Sequence, residues 1–142
     1  LRFPYADFVP ATTNTSYLYN DRGLFAGTTK NQFYAPVTFP VGVTLTNIAA
    51  NLIAATSAGD SSVLTLRRMN ASTDGTTVGT LTFTGSSWQN ISAGLSQVVS
   101  SSMAFNCNFA GEAGTSGSLT AQGPGLSYFE VSYTMPSYER TY

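Results

Sequence analysis

No histidine occurs in the 142 residues, and charged side chains make up only 9% of them. Cysteine and lysine appear once each, as Cys107 and Lys30. Each shortage removes a chemistry. Without histidine there is no Ser-His-Asp or Cys-His nucleophile, and no imidazole to ligate zinc or copper. One thiol supplies neither a thiolate cluster nor an internal disulfide. The many serines have no base, because no Ser-x-x-Lys accompanies Lys30. Six Lys or Arg stand against seven Asp or Glu, for a net charge of −1, and Arg67-Arg68 is the only basic pair. No stripe of cations is available to neutralise phosphates, which argues against nucleic acid as a partner. No apolar run approaches the ~20 residues of a membrane-spanning helix.

The acids are equally uninformative as a catalytic set. Asp21, Asp60, Asp74 and Glu112 fall in expected turns, and Glu130 alternates with Phe129 and Val131 so as to face solvent. Paired carboxylates for glycoside hydrolysis are not indicated. The D-x-D-x-D spacing of a calcium loop is missing too, leaving Asp60 or Asp74 with backbone carbonyls as the only ion-holding arrangement. The reading is a protein that is not an enzyme and has no cofactor or metal.

What fills the chain instead is Ser, Thr, Asn and Gly around a substantial apolar fraction of 42%. Nine Phe, eight Tyr and one Trp are too much core material for a disordered chain. The length suits one domain. A polar but uncharged surface is that of an exported protein meeting sugars, other proteins or copies of itself, and the sequence reads as a mature extracellular or cell-surface chain after signal removal.

The stretch FYAPVTFPVGVTLTNIAANLIAA, Phe33 to Ala55, organises the rest. After Pro36, Pro40 and Gly42 it alternates as a half-buried strand, with Val43 and Leu45 opposed to Thr44 and Thr46. The phase slips at Asn47 and resumes at Ile48, Ala50 and Leu52, which marks a β-bulge. Similar two-residue alternation runs through SVLTLRRM (Leu64 and Leu66 inward), TVGTLTFT (Leu81 and Phe83 inward) and LSYFEVSYTM. In MAFNCNF, Met103, Phe105, Cys107 and Phe109 share a face, which makes Cys107 a small buried hydrophobe. SYLYN and Leu24–Ala26 flank a turn at Asp21-Arg22-Gly23, and Asp74-Gly75 has hairpin-turn chemistry. Trp88–Ser92 and Leu95–Ser100 read as two short strands around Ala93-Gly94, with another short strand at Ser118–Gln122. The total is roughly eight to ten short strands and no helix, an all-β, single antiparallel β-sandwich of jelly-roll or immunoglobulin-like kind.

The block FYAPVTFPVGVTLTNIAA, the turn with Asp60, the strand VLTLRRM and the late YFEVSYTM resemble a recurring secreted bacterial β-sandwich domain. Its members carry an opening like DFVP (here Asp7 to Pro10), a block like APVxLPxGxTVT and a closing aromatic strand. The resemblance spans roughly Ala6 to Met135 and implies an exported sandwich, with no catalytic residue carried over.

Three parts follow: an extended aromatic segment at 1–10, a sandwich at 11–135 and a tail at 136–142. Free termini fray, so Phe3, Tyr5 and Phe8 must dock somewhere, on their own domain or as a strand added to a neighbouring subunit. Pro4 and Pro10 confine the segment to an edge or an irregular path. With Tyr138 and Tyr142 these aromatics are the candidate assembly contacts of a filament, fibre or surface-layer subunit, whose low charge lessens repulsion between copies. The alternative is a carbohydrate- or receptor-binding module, in which Trp88 with Tyr17, Tyr19 or Tyr128 forms a stacking platform for a glycan. Asn14, Asn70 and Asn90 fit the glycan-acceptor pattern.

Overall fold

The alternation that begins at Val43 is carried through as a strand buried on one face. Val43, Leu45, Ile48, Ala50 and Leu52 are buried, while the residues between them are half-exposed. A computed structural model of the chain describes residues 1–11, 17–20, 22–26, 31–54, 60–70, 73–112 and 124–137. These residues form β1 (Arg2–Pro4), a single 3-10 turn (Tyr5–Asp7), β2 (Val9–Pro10), β3 (Tyr17–Asn20), β4 (Gly23–Ala26) and β5 (Asn31–Val37). There follow β6 (Thr44–Ile53), β7 (Ser61–Asn70), β8 (Thr73–Phe83), β9 (Gln89–Val98), β10 (Ala104–Glu112) and β11 (Gly125–Thr134). No α-helix occurs among the described residues. Eleven strands replace the roughly eight to ten expected from turn signals. The added ones are the short pieces near the N-terminus, where Pro4 and Pro10 mask the pattern.

The strands form two antiparallel sheets. One has the order β3-β4-β11-β6-β9 with β1 also paired to β11, and the other the order β2-β5-β10-β7-β8. The pairs β4–β11, β5–β10, β6–β9 and β7–β8 nest inside one another like a long hairpin rolled up. Successive strands cross from sheet to sheet, and only β3–β4 and β7–β8 are neighbours both in sequence and in a sheet. That arrangement is a jelly roll, which resolves the choice left open against an immunoglobulin-like sandwich.

The Phe33–Ala55 stretch therefore supplies two strands, one for each sheet. The break falls at Gly42, whose φ of +89° is open to glycine at no steric cost. The bulge sits where the phase slip puts it. The register shifts around Thr46 against both β11 and β9, so Leu45 and Ile48 both face inward. Two expectations are corrected. Asp74-Gly75 lies inside β8, because β7 and β8 pair out to Asn70 and Thr73 and the turn falls earlier. The two short strands around Ala93-Gly94 are one strand, β9, in which Gly94 is an exposed ladder residue. The Ser118–Gln122 strand lies outside the described residues.

Between the sheets the core is aromatic and branched-aliphatic. Phe33 stacks near Phe109 at 6.1 Å, and Leu45, Ile48, Leu52, Leu64 and Leu66 fill the middle. Cys107 is buried among them, and burial holds its thiol pKa well above the ordinary value of 9.0. It remains a neutral thiol. Gly79 faces the core, and a Cβ there would come within 2.3 Å of the Leu95 side chain, so its absence lets β8 close against β9.

Residues 1–10 strap the sandwich by lying on both sheets, β1 on β11 and β2 on β5. The Leu1 ammonium donates to the Val131 carbonyl at 2.8 Å, and Val131 N–H donates back to the Leu1 carbonyl. Phe3 stacks on Phe129 at 4.6 Å, and Phe8 meets the same ring edge-on at 5.6 Å. Phe8 is 1% exposed, a burial that contributes about 2–3 kcal/mol.

Candidate functional site

An antiparallel sheet with one face on the core leaves the other to be covered, closed by its own bonds, or used. The outer face of the five-stranded sheet is a ladder of alternate residues from β5, β10, β7 and β8. Register fixes its rows. Gln32 stands beside Ala110 and Val63, and Tyr34 beside Asn108, Thr65 and Thr80. Asn106 stands beside Arg67 and Thr77. The inward partners of these residues, Phe33, Phe109, Leu64 and Leu66, are fully buried, so the outward set has no freedom to turn over.

Across these rows runs a depression of about 300 Å³, lined by Gln32, Thr65, Arg67, Thr77, Asn108 and Ala110, with Val63 at its side. Ala110 makes the hollow, since its methyl stands between the longer Gln32 and Val63. The polar groups around it are positioned individually. Tyr34 O–H donates to Gln32 Oε1 at 2.8 Å, which commits that oxygen as an acceptor. Arg67 Nη2 donates to the Gly75 carbonyl at 2.9 Å. Gly75 lacks the Cβ that would come within 3.2 Å of Arg67 Nε, so the guanidinium can lie against the β8 backbone. A register shift between Leu66 and Arg67 brings Thr77 opposite Arg67.

Asn108 forms part of the wall while only 9% exposed. Its amide makes no hydrogen bond with another described side chain. Asn106 Oδ1, in the next row, is buried with no hydrogen-bond partner. Asn106 and Asn108, alternate residues of β10, thus put two amides on one face. The arrangement can bind a polar ligand by several directed hydrogen bonds, but no nucleophile or acid–base pair lines it.

The outer face of the six-stranded sheet is arranged differently. Phe25 follows core-facing Leu24 in β4 and so points outward, where Trp88 meets it edge-on at 5.7 Å. Phe25 is completely buried and Trp88 half-buried, so the indole contributes a cover rather than an open platform. Asn90 Oδ1 accepts from Tyr128 O–H at 2.9 Å and from Asn51 Nδ2 at 3.0 Å. The Arg2 guanidinium lies 4.3 Å from the Tyr128 ring centroid and pairs with Glu130.

These positions remove Tyr17 from the stacking platform drawn from sequence. Tyr17 packs edge-on against Phe33 at 5.7 Å, on the inner side of its sheet, whereas Trp88 and Tyr128 belong to the outer side. Tyr19 pairs with Leu24 in β3–β4, and its side chain is outside the described set. Of the acceptor asparagines, Asn90 is exposed near the start of β9 with its amide oxygen already bonded. Asn70 ends β7 with its side chain outside the described set, and Asn14 lies outside the described residues.

Of the assembly candidates, Phe3, Tyr5 and Phe8 pack on the chain's own core. Tyr138 and Tyr142 lie outside the described residues. Asp60, expected in a solvated turn, is 6% exposed and precedes β7, whose Ser62 Oγ donates to the Ile53 carbonyl at 2.5 Å. Glu130 is half-buried and paired with Arg2 rather than simply facing solvent.

A second depression, about 280 Å³, opens at one end of the sandwich among Pro36–Phe39 and Met103–Phe105. It offers backbone and apolar walls with no ionisable side chain, and so fewer means of orienting a ligand.

The groove residues Gln32, Tyr34, Thr65, Arg67, Asn108 and Ala110 were not singled out by sequence reasoning. Each occupies the position alternate to a core residue, so the period-two pattern marks it as outward. Bringing them together requires the pairing of strands about thirty and forty residues apart, which local alternation does not encode.

At the level of sequence, no family model matches the chain and no curated protein matches it. Solved structures of similar fold are carbohydrate-binding modules. The C-terminal family 6 module of LamC, a laminarinase from Zobellia galactanivorans, superposes with a TM-score of 0.61 at 9% identity, over 92% of this chain and 97% of that one. A family 36 module in complex with calcium and xylotriose gives 0.60 at 15% identity, over 93% and 99%. A β-1,3-glucan-binding family 6 module from Bacillus halodurans gives 0.58 at 10% identity, over 92% and 94%. At such identities the likeness establishes the fold alone, a β-sandwich. Among the described residues no three of His, Cys, Asp or Glu are grouped to hold a metal ion.

Proposed function

We propose that the chain is an extracellular glycan-binding module whose site is the groove on the outer face of β5, β10, β7 and β8. The observation that carries the reading is the polar hollow itself, in whose wall Asn108 is held at 9% exposure beside Thr65, Arg67 and Thr77. Sugar hydroxyls are both donors and acceptors. An amide, two threonines, a glutamine and a fixed guanidinium are complementary to several of them at once. The fold shared with carbohydrate-binding modules supports the same reading at the level of architecture. No catalytic step is assigned. The groove binds and releases.

Affinity electrophoresis and calorimetry against neutral and acidic plant, algal and bacterial polysaccharides test it, using the wild type, Asn108→Ala and Trp88→Ala. Asn108→Ala is expected to weaken binding about tenfold or more, the effect of one lost directed hydrogen bond and an unmatched ligand hydroxyl. Trp88→Ala is expected to change affinity less than about twofold, since Trp88 stands on the opposite sheet. The reverse pattern would move the site to the six-stranded sheet. Silence of the wild type with every polysaccharide would refute glycan binding.

A further inference from the structure

We infer that the groove selects glycans bearing an anionic group, a carboxylate or a sulfate, and that Arg67 reads that group. The inference rests on the glycan-binding reading of the same site and adds its ligand class. Three observations carry it.

The first is the imbalance of charge. Arg67 is the one ionic side chain among the described lining residues; the others are Gln32, Thr65, Thr77, Asn108 and the apolar Val63 and Ala110. No described carboxylate neutralises it within the groove. The Arg2–Glu130 ion pair on the opposite sheet shows the other solution, a cation matched inside the protein.

The second is the direction of the hydrogen bonds. Gln32 Oε1 is committed as acceptor to Tyr34 O–H, which leaves the Gln32 NH₂ as a donor. The Arg67 guanidinium uses Nη2 on the Gly75 carbonyl, and its other N–H groups have no partner among the described residues. The two lining side chains whose polarity a bond fixes, Gln32 and Arg67, are therefore donors. A ligand rich in acceptors meets them better than one that must offer hydroxyl protons.

The third is orientation. The bond to Gly75 and the absence of a Cβ there fix the guanidinium plane against β8, with Thr77 paired to Arg67 across the ladder. A planar fork held in place suits a carboxylate or sulfate by two parallel hydrogen bonds, and a lysine would not replace it. The protein as a whole has a net charge of −1, so general attraction of polyanions to its surface is not the source of the preference.

The test is calorimetry with matched polymers that differ only in charge: polygalacturonate and hyaluronate against their methyl-esterified forms, and dextran sulfate against dextran. The expected result at low ionic strength is binding of at least one charged member about tenfold tighter than its neutral counterpart. Arg67→Gln should reduce that ratio to about one, because it weakens binding of the charged member about tenfold more than binding of the neutral one. Arg67→Lys should restore only part of the ratio, because it returns charge without the fork. Thermal unfolding of each variant separates loss of recognition from loss of fold. Whether the esterified or the desulfated pair shows the preference assigns the anion. Equal affinity for charged and neutral members, or a ratio that Arg67→Gln leaves intact, would overturn anion selection while glycan binding stands. No binding to any of these polymers or to the neutral panel would overturn both readings.

Discussion

The two outer faces of this sandwich are built from similar polar residues on similar ladders, yet one is closed and the other open. On the six-stranded sheet every described polar group of note is answered from within. Arg2 has Glu130 and the Tyr128 ring, Asn90 has Tyr128 and Asn51, and Phe25 has the Trp88 indole over it. On the five-stranded sheet the bonds stop short. Tyr34 answers Gln32 and Gly75 answers Arg67, but the Asn108 amide has no side-chain partner and Asn106 Oδ1 has none at all. Burying a polar group without a partner costs about 1–3 kcal/mol, so a face serving stability alone gains nothing from that pattern. Polar composition therefore does not mark a binding face.

The largest break in this comparison is expected at the strap that holds both sheets. Phe8→Ala removes a ring buried against Phe129 and should lower stability by about 3–5 kcal/mol, read as a reduced midpoint in chemical denaturation. Both faces would loosen together, and glycan affinity would fall in proportion to the folded fraction. If Phe8→Ala instead leaves stability unchanged but dissolves an assembly seen by electron microscopy, the segment serves a neighbouring copy and the intramolecular strap is not its role.

A smaller and one-sided effect should follow Trp88→Ala. Half-burial over Phe25 makes a loss of about 2 kcal/mol the expected outcome by thermal or chemical unfolding, without the loss of affinity assigned to Asn108→Ala. The two variants together form a double dissociation between the faces. The smallest effect belongs to Glu130→Gln. Its pair with Arg2 is largely solvent-exposed on the arginine side, so the change should be under about 1 kcal/mol and should vanish at high salt. A larger, salt-resistant loss would show that the six-stranded face depends on that pair more than its exposure implies.

Much of this was legible from residue order because the signals are local. Alternation at Val43–Leu52, the slip near Asn47 and the shared face of Phe105, Cys107 and Phe109 follow from which side of a strand each residue takes. The β-sandwich class follows from the same alternation repeated between turns. The DG pair at 74–75 misled because turn chemistry only permits a turn, whereas pairing of β7 with β8 out to Asn70 and Thr73 sets where it falls. Gly94 misled in the same way, since a ladder residue flanked by paired neighbours needs no turn there.

By itself, then, the sequence determined most of the strands, their buried faces and the bulge, all properties of neighbours along the chain. Tertiary structure alone decided the rest. It chose the rolled order of a jelly roll over the immunoglobulin-like alternative, and it laid Phe3, Tyr5 and Phe8 on the chain's own sheets. It also put Trp88 and Tyr17 on opposite sides of a sheet, where no shared platform forms. Most consequentially, it set Gln32, Arg67 and Asn108 side by side from three strands far apart in sequence. The physical reason is that a residue's inward or outward direction is fixed within two or three positions, while its lateral neighbours depend on which distant strands pair. That pairing is settled by packing of the whole core, to which every strand contributes at once.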